Sequence, residues 1–132
     1  MNRIGLVVFP ALFLIVAAAP ACAETIRARD AIGHIGETAT VEGRASIQRM
    51  GSGEIYLDLE GRGDKAPLSA YISRWNAARF SDVDDLNGKI VEITGEIGMF
   101  RYRPEIFLTD PGQIAANPPT DAIRPDGNPR AR

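Results

Sequence analysis

Apolar and polar residues alternate with period two from Thr38 to Gln48. Ala39, Val41, Gly43, Ala45 and Ile47 fall on one face, and Thr40, Glu42, Arg44, Ser46 and Gln48 on the other. That is the signature of a half-buried strand, and Gly43 inside it predicts strong bending or close backbone approach. Shorter runs follow. Ile55 to Leu59 predicts a second strand, with Tyr56 and Asp58 outward, and Leu68 to Ile72 a third, with Ser69 and Tyr71 outward. In a fourth, Val91, Ile93, Gly95 and Ile97 oppose Glu92, Thr94 and Glu96. Gly98 to Pro104 reads as a turn-rich loop carrying Phe100, Arg101, Tyr102 and Arg103, and Glu105 to Leu108 as a short return strand. On that strand Phe107 points outward and is expected to pack under the tail or the helix.

Between the third and fourth strands, Ser73 to Gly88 predicts the one substantial helical region. Trp75, Ala78 and Phe80 are its expected apolar anchors, Ser81 with Asp84 has capping-box spacing, and Asn87-Gly88 is a helix stop. A brief helical stripe is also expected near Arg27 to His34 in the lead-in, kept short by Gly33 and Gly36. From Ala115 to Arg132 the chain turns proline-rich and polar, which predicts a disordered tail.

Residues 1–23 carry the marks of a secretory leader. Arg3 gives the positive start, Ile4 to Ala19 the apolar core, and Ala21-Cys22-Ala23 the small-residue cleavage pattern before Glu24. Two alternatives are a retained membrane anchor and a lipoprotein with Cys22 as the first mature residue. Pro10 interrupts the first, and Pro20 beside the cut disfavours the second. Cleavage after Ala23 leaves a periplasmic or secreted chain with no cysteine, no disulfide and no membrane span. It also removes Arg3, the only charge of the leader, so the net charge goes from -2 to -3. A mildly acidic domain is a poor general binder of nucleic acid, and any polyanion site must be a local patch.

The order strand, strand, strand, helix, strand, strand predicts an all-β fold, a five-stranded OB-fold barrel over residues 24–114 with a helix between strands three and four. A five-stranded sandwich fragment fits the pattern as well. The runs HIGETATVEGRA, IYLDLEG and FSDVDDLNGKIVEITGEIGMFRYRPEIFLTDPGQI resemble a family of small bacterial OB-fold domains, nucleic-acid-binding-like, which stand alone or accompany nucleases. The residues carrying the resemblance are Gly36, Gly88-Lys89, Thr94-Gly95, Arg103-Pro104-Glu105-Ile106 and Asp110-Pro111. It implies a ligand face on the central strands, flanked by the loops between strands one and two and between four and five.

On that face the expected ligand-binding residues are Tyr56, Tyr71, Phe100 and Tyr102 for stacking. Arg44, Arg49, Arg101 and Arg103 are expected to pair with anions. Rings stack on bases for about 1–3 kcal/mol each, and guanidinium forks pair with phosphates. The expected partner is single-stranded nucleic acid or another extended anion, such as an oligosaccharide, with an envelope protein as the alternative. Ordinary barrel surface also carries outward Tyr and solvated Arg, and Glu42, Asp58, Glu92 and Glu96 dilute the basic character.

Catalysis, metals and cofactors find little support. His34 is the single histidine and reads as a surface residue at a helix end, without metal partners or a nucleophile elbow. Asp82, Asp84 and Asp85 before Asn87-Gly88 echo a calcium loop whose glycine is misplaced, and capping explains them better. Gly51-Ser52-Gly53 lacks the Lys-Ser/Thr of a phosphate loop. The expectation is a binding module that is not an enzyme and holds no cofactor and no metal.

Overall fold

The alternating segment becomes the longest strand, β2 (Thr38–Arg49), and the rest of the barrel closes around it. The structure, a computed structural model, describes residues 24–116 and the isolated Gly5, so the predicted leader and most of the predicted tail lie outside the described residues. The other strands are β1 (Thr25–Arg27), β3 (Ile55–Leu59), β4 (Leu68–Ile72), β5 (Ile90–Phe100), β6 (Arg103–Leu108) and β7 (Ile114–Ala116). Five of them, in the order β2-β3-β4-β6-β5, close through a β2–β5 pairing. The β4–β6 pair is parallel and the other barrel pairs are antiparallel. This is the five-stranded barrel that the pattern predicts.

Closure depends on β2 changing partners. Thr38 to Arg44 pair with β5, and Ala45 to Arg49 pair with β3. Gly43 sits at the changeover, where an added Cβ would lie 3.1 Å from both Glu60 Cγ and Leu59 Cβ. The expected close approach is therefore real. β1 runs parallel to β2 beside Thr40 to Glu42, and β7 pairs with Val91 to Ile93 of β5. The short strands extend the sheet along the halves of β2 and β5 that β3 and β6 leave uncovered. Pairing thus continues through Ala115 and Ala116, into the stretch expected to be tail.

The inward faces form one core, with Val41, Leu57, Leu68, Ile93, Ile97 and Ile106 fully buried. Each such aliphatic contributes about 1.5–3 kcal/mol of transfer free energy. Ala28 and Ala31, on a 3-10 turn over Ala28–His34, are buried as well, while Ile32 and Ile35 of the expected apolar stripe stay exposed.

The helical connection between β4 and β5 is present as two 3-10 segments, Ala77–Phe80 and Val83–Leu86, and not as a continuous helix. Ala77, Phe80, Val83 and Leu86 recur every third residue, the period of a 3-10 turn, and all four pack on the core. Three expectations are corrected here. Trp75 is not a core anchor: it lies off that repeat and is 78% exposed, with the Arg74 guanidinium 4.2 Å above its ring. Ala78 lies off the repeat too and is exposed. Nor does Ser81 cap a helix with Asp84, since the second segment has Asp82 at its N-cap and no side-chain cap.

Candidate functional site

The loop expected from Gly98 to Pro104 is mostly strand. β5 runs to Phe100 and β6 starts at Arg103, and these two residues pair. Only Arg101 and Tyr102 are left to turn the chain, with φ of 48° and 65°. Both are left-handed, as a two-residue hairpin that follows the twist of its strands requires. Such turns normally use Asn-Gly, so this one holds two ordinary side chains in a costly backbone conformation. Tyr102 at the tip is 99% exposed.

The outer face of the barrel is built in rows fixed by strand register. Gln48, Tyr56, Tyr71 and Phe107 lie side by side across β2, β3, β4 and β6. Tyr56 and Tyr71 are tilted, with ring centroids 5.2 Å apart. Tyr71 and Phe107 meet edge to face at 5.3 Å. Among the described residues no element covers Phe107, which is 62% exposed, so the helical connection does not cover it as expected, and most of the expected tail lies outside the described residues. The next row is Ser46, Asp58, Ser69, Glu105 and Gly98. Alternation places Asp58 and Ser69 outward, yet both are buried. The reason is a polar network: Asp58 accepts from Ser69 Oγ at 2.7 Å, Gln48 Nε2 at 2.9 Å and the Gly63 amide at 2.7 Å. The last bond draws the turn at Gly63–Lys65 over the row.

Beside these rows runs a groove of about 620 Å³. Gln48 and Met50 of the β2–β3 hairpin line it, with Tyr56, the Gly63 turn and the Phe100–Pro104 hairpin. The structure therefore brings Tyr56, Phe100, Arg101, Tyr102 and Arg103 together and extends the set along the face through Tyr71. It does not bring in Arg44 or Arg49. Arg44 donates to the Gly88 carbonyl, and Arg49 makes a two-point contact with Asp84 (Nε to Oδ2 2.9 Å, Nη2 to Oδ2 2.8 Å). That hydrogen bond also holds the Asp84 carboxyl below its ordinary value. Arg103 lines the groove but donates to the Gly63 carbonyl, so it staples the turn. Arg101 remains open, 5.3 Å from the Phe100 ring.

Residues that sequence reasoning passed over also shape the site. Arg29 and Ile32 reach the groove from the 3-10 turn, and Asp64 from the Gly63 turn. Glu105 is only 4% exposed although it faces outward. Burial pushes its carboxyl pKa up, and Arg103 partly opposes this. Burial likewise raises the Tyr56 phenol, with Glu105 the next contributor. Among the described residues no group of three or more His, Cys, Asp and Glu is placed to hold a metal ion.

No family model matches the sequence, and no curated protein matches it. Among solved structures the chain is similar to a Leishmania major Friedlin protein named as an aspartyl-tRNA synthetase, at 10% identity and a TM-score of 0.47. That likeness covers 77% of this chain and 22% of the other. It is also similar to a protein of Klebsiella pneumoniae subsp. pneumoniae named as a nucleic acid-binding lipoprotein, at 20% identity and a TM-score of 0.41, over 67% of this chain and 76% of that one.

The motif residues of the sequence turn out to close the barrel. An added Cβ at Gly95 would lie 2.6 Å from Ile106 Cγ2 and 3.3 Å from Gln113 Nε2. Gln113 is held there by a capping box with Asp110, and its amide donates to the Thr94 carbonyl at 3.1 Å. Gly88, at φ 80°, donates its amide to Ala45 at 2.8 Å. These contacts tie β7 and the 3-10 connection onto the barrel, while Arg103 and Pro104 of the same motif set line the groove.

Proposed function

We propose that this chain is an exported, non-catalytic binding module that lays an extended, ring-bearing ligand across the β3–β4–β6 face. The observation that carries the reading is the cross-strand row Tyr56, Tyr71 and Phe107 running beside a groove closed by the Phe100–Arg103 hairpin. A row of half-exposed rings outside the core offers successive stacking surfaces, with polar groups of the next row beneath to fix register. Single-stranded nucleic acid and oligosaccharide are the two ring-bearing chains that suit it. Export is supported by the leader pattern of residues 1–23. No helix of the described residues is long and apolar enough to cross a membrane.

Fluorescence anisotropy with labelled oligonucleotides, at low and moderate salt, tests the nucleic-acid form, and labelled oligosaccharides test the other. Tyr56→Ala and Tyr71→Ala should each weaken binding by about 1–3 kcal/mol. Arg44→Ala and Arg49→Ala should leave it unchanged. Binding that ignores both tyrosines would end the proposal.

A second reading, an envelope protein-interaction module, is favoured by one observation. Trp75 is exposed away from the groove, and buried tryptophans anchor many protein interfaces. A partner pulled down from envelope extracts that survives nuclease treatment and is lost in Trp75→Ala would support it.

A further inference from the structure

Glu105, next to the groove-lining Pro104, is an outward carboxylate that no hydrogen bond of the described residues accounts for. It lies in the same row as Asp58, between Ser69 and Gly98. Asp58 receives three hydrogen bonds from the protein. Among the described residues no donor reaches the Glu105 carboxylate, although the residue is nearly as buried as Asp58. Its carboxylate oxygens keep contact with solvent and take no hydrogen bond from the described residues, and the partial burial of the residue raises its pKa. Its neighbours are Arg103 two residues before it on its own strand, Ser69 opposite on β4 and Gly98 opposite on β5, with Tyr56 and Tyr71 in the adjoining row. On the Gly98 side the way is open. A Cβ there would meet only the Glu105 carbonyl oxygen, at 3.6 Å. The geometry thus leaves an acceptor recessed beside a row of rings, with an approach across a bare stretch of β5.

We infer that Glu105 is the specificity-determining acceptor of this face and that the chain it reads is an uncharged oligosaccharide. The inference rests on the reading of this face as a binding surface. Sugar hydroxyls supply the missing donor, and a pyranose ring presents an apolar face to Tyr56 and Tyr71. A nucleobase amino group would satisfy Glu105 equally well, but each nucleotide also brings a phosphate. For phosphates the groove offers Arg29, Arg101 and Arg103 against Asp58, Asp64 and the adjoining Glu105. Arg103 is already tied to Gly63, and Arg29 lies 4.0 Å from Asp30. With one open guanidinium and three carboxylates, the counterion release that drives polyanion binding has little to work with.

The test exploits opposite signs. The mature protein is applied to an array of uncharged oligosaccharides (tetramers of glucose, mannose, galactose and N-acetylglucosamine) and to short single-stranded oligonucleotides. The same is done with Glu105→Gln, Gly98→Val and the Tyr56→Ala/Tyr71→Ala pair. Glu105→Gln removes a partly desolvated charge that no described residue pairs, so its thermal midpoint should not fall. Its affinity for the bound glycan should drop roughly ten- to a hundredfold, the value of a charge-assisted hydrogen bond. Gly98→Val, a strand-compatible change that leaves Glu105 in place, should block the approach and also abolish glycan binding. Glycan binding untouched by Glu105→Gln, or oligonucleotide binding that tightens in it, overturns the inference. If such binding is still lost in the tyrosine pair, the binding-face reading survives. Absence of any glycan binding also overturns the inference.

Discussion

The two-residue turn at Arg101 and Tyr102 sets a measurable conflict between stability and use. Both residues are left-handed and neither is Gly, Asn or Asp. That conformation costs an L-residue on the order of 1–2 kcal/mol. Replacing the pair by Arg101→Asn/Tyr102→Gly keeps the hairpin register, because Phe100 and Arg103 still pair. The Gly relieves the strain at its position but adds about 0.5–1 kcal/mol of unfolded-state entropy. Asn tolerates the left-handed region better than Arg. The loss of the Arg101–Phe100 contact at 5.3 Å costs about 0.5 kcal/mol at an exposed site. Tyr102 has no packing to lose. The net is a stabilisation of about 1 kcal/mol, which moves the thermal midpoint of a domain this size up by roughly 4–8 °C. Thermal unfolding followed by circular dichroism, on the parent and the double variant, measures it. Arg101→Ala/Tyr102→Ala, which removes the side chains and keeps the strain, should show no gain. A midpoint equal to or below the parent's in the Asn-Gly variant would refute the claim that the tip is strained. Higher stability joined to weaker binding would mean that the strained residues are kept for contact with the ligand.

Three further outcomes follow from packing and charge. Gly95→Ala should destabilise the fold by about 1–3 kcal/mol in denaturant titrations, because its Cβ would enter Ile106 at 2.6 Å and press on the Gln113 amide that anchors the chain before β7. Asp58→Ala strands one buried donor, Ser69, and two half-buried ones, Gln48 and Gly63, and should cost about 3 kcal/mol by the same assay, with the Gly63 turn gaining proteolytic sensitivity. Glu105 titrates above its ordinary value of 4.5 in the folded chain, so the folded state holds the proton more tightly than the unfolded one. Its stabilising contribution is full below the ordinary carboxylate range and is lost as pH rises through the folded value. Glu105→Gln should remove that fall, giving a stability difference in the variant's favour that grows from acid to neutral pH.

How much of this was legible in the chain depended on what each signal encodes. Strict alternation in β2, β3 and β4 marks a face, and the inward residues it named are those in the core. It does not say whether an outward face is covered, so Asp58 and Ser69 were read as surface while the Gly63 turn lies over them. The β5–β6 hairpin was hidden because Gly98 and Pro104 are ordinary loop markers and Arg-Tyr is not the usual turn pair. The period-three spacing of Ala77, Phe80, Val83 and Leu86 was present in the sequence, and reading it as period 3.6 put Trp75 inside. The engagement of the arginines is hidden for a different reason. Arg44, Arg49 and Arg103 have partners 44, 35 and 40 residues away along the chain, and local pattern cannot show that a guanidinium is already engaged.

That division separates what specifies the barrel from what specifies its ligand. Gly88, Gly95, Asp110 and Gln113 hold the closure together, and each of them acts by backbone fit or by bonding to backbone. A sequence sharing these residues would be bound to share the barrel and free to differ on the outer face. The rows Gln48–Tyr56–Tyr71–Phe107 and Asp58–Ser69–Glu105 make no comparable demand on closure, apart from Asp58 and its network. Exchanging Tyr71, Glu105 or Phe107 would alter stacking, charge and donor preference while leaving the inward alternation intact. Gly88, Gly95 and Asp110 among the residues of the resemblance therefore speak to architecture, and the ligand must be argued from the rings and from Glu105, a residue of the resemblance that closure does not require.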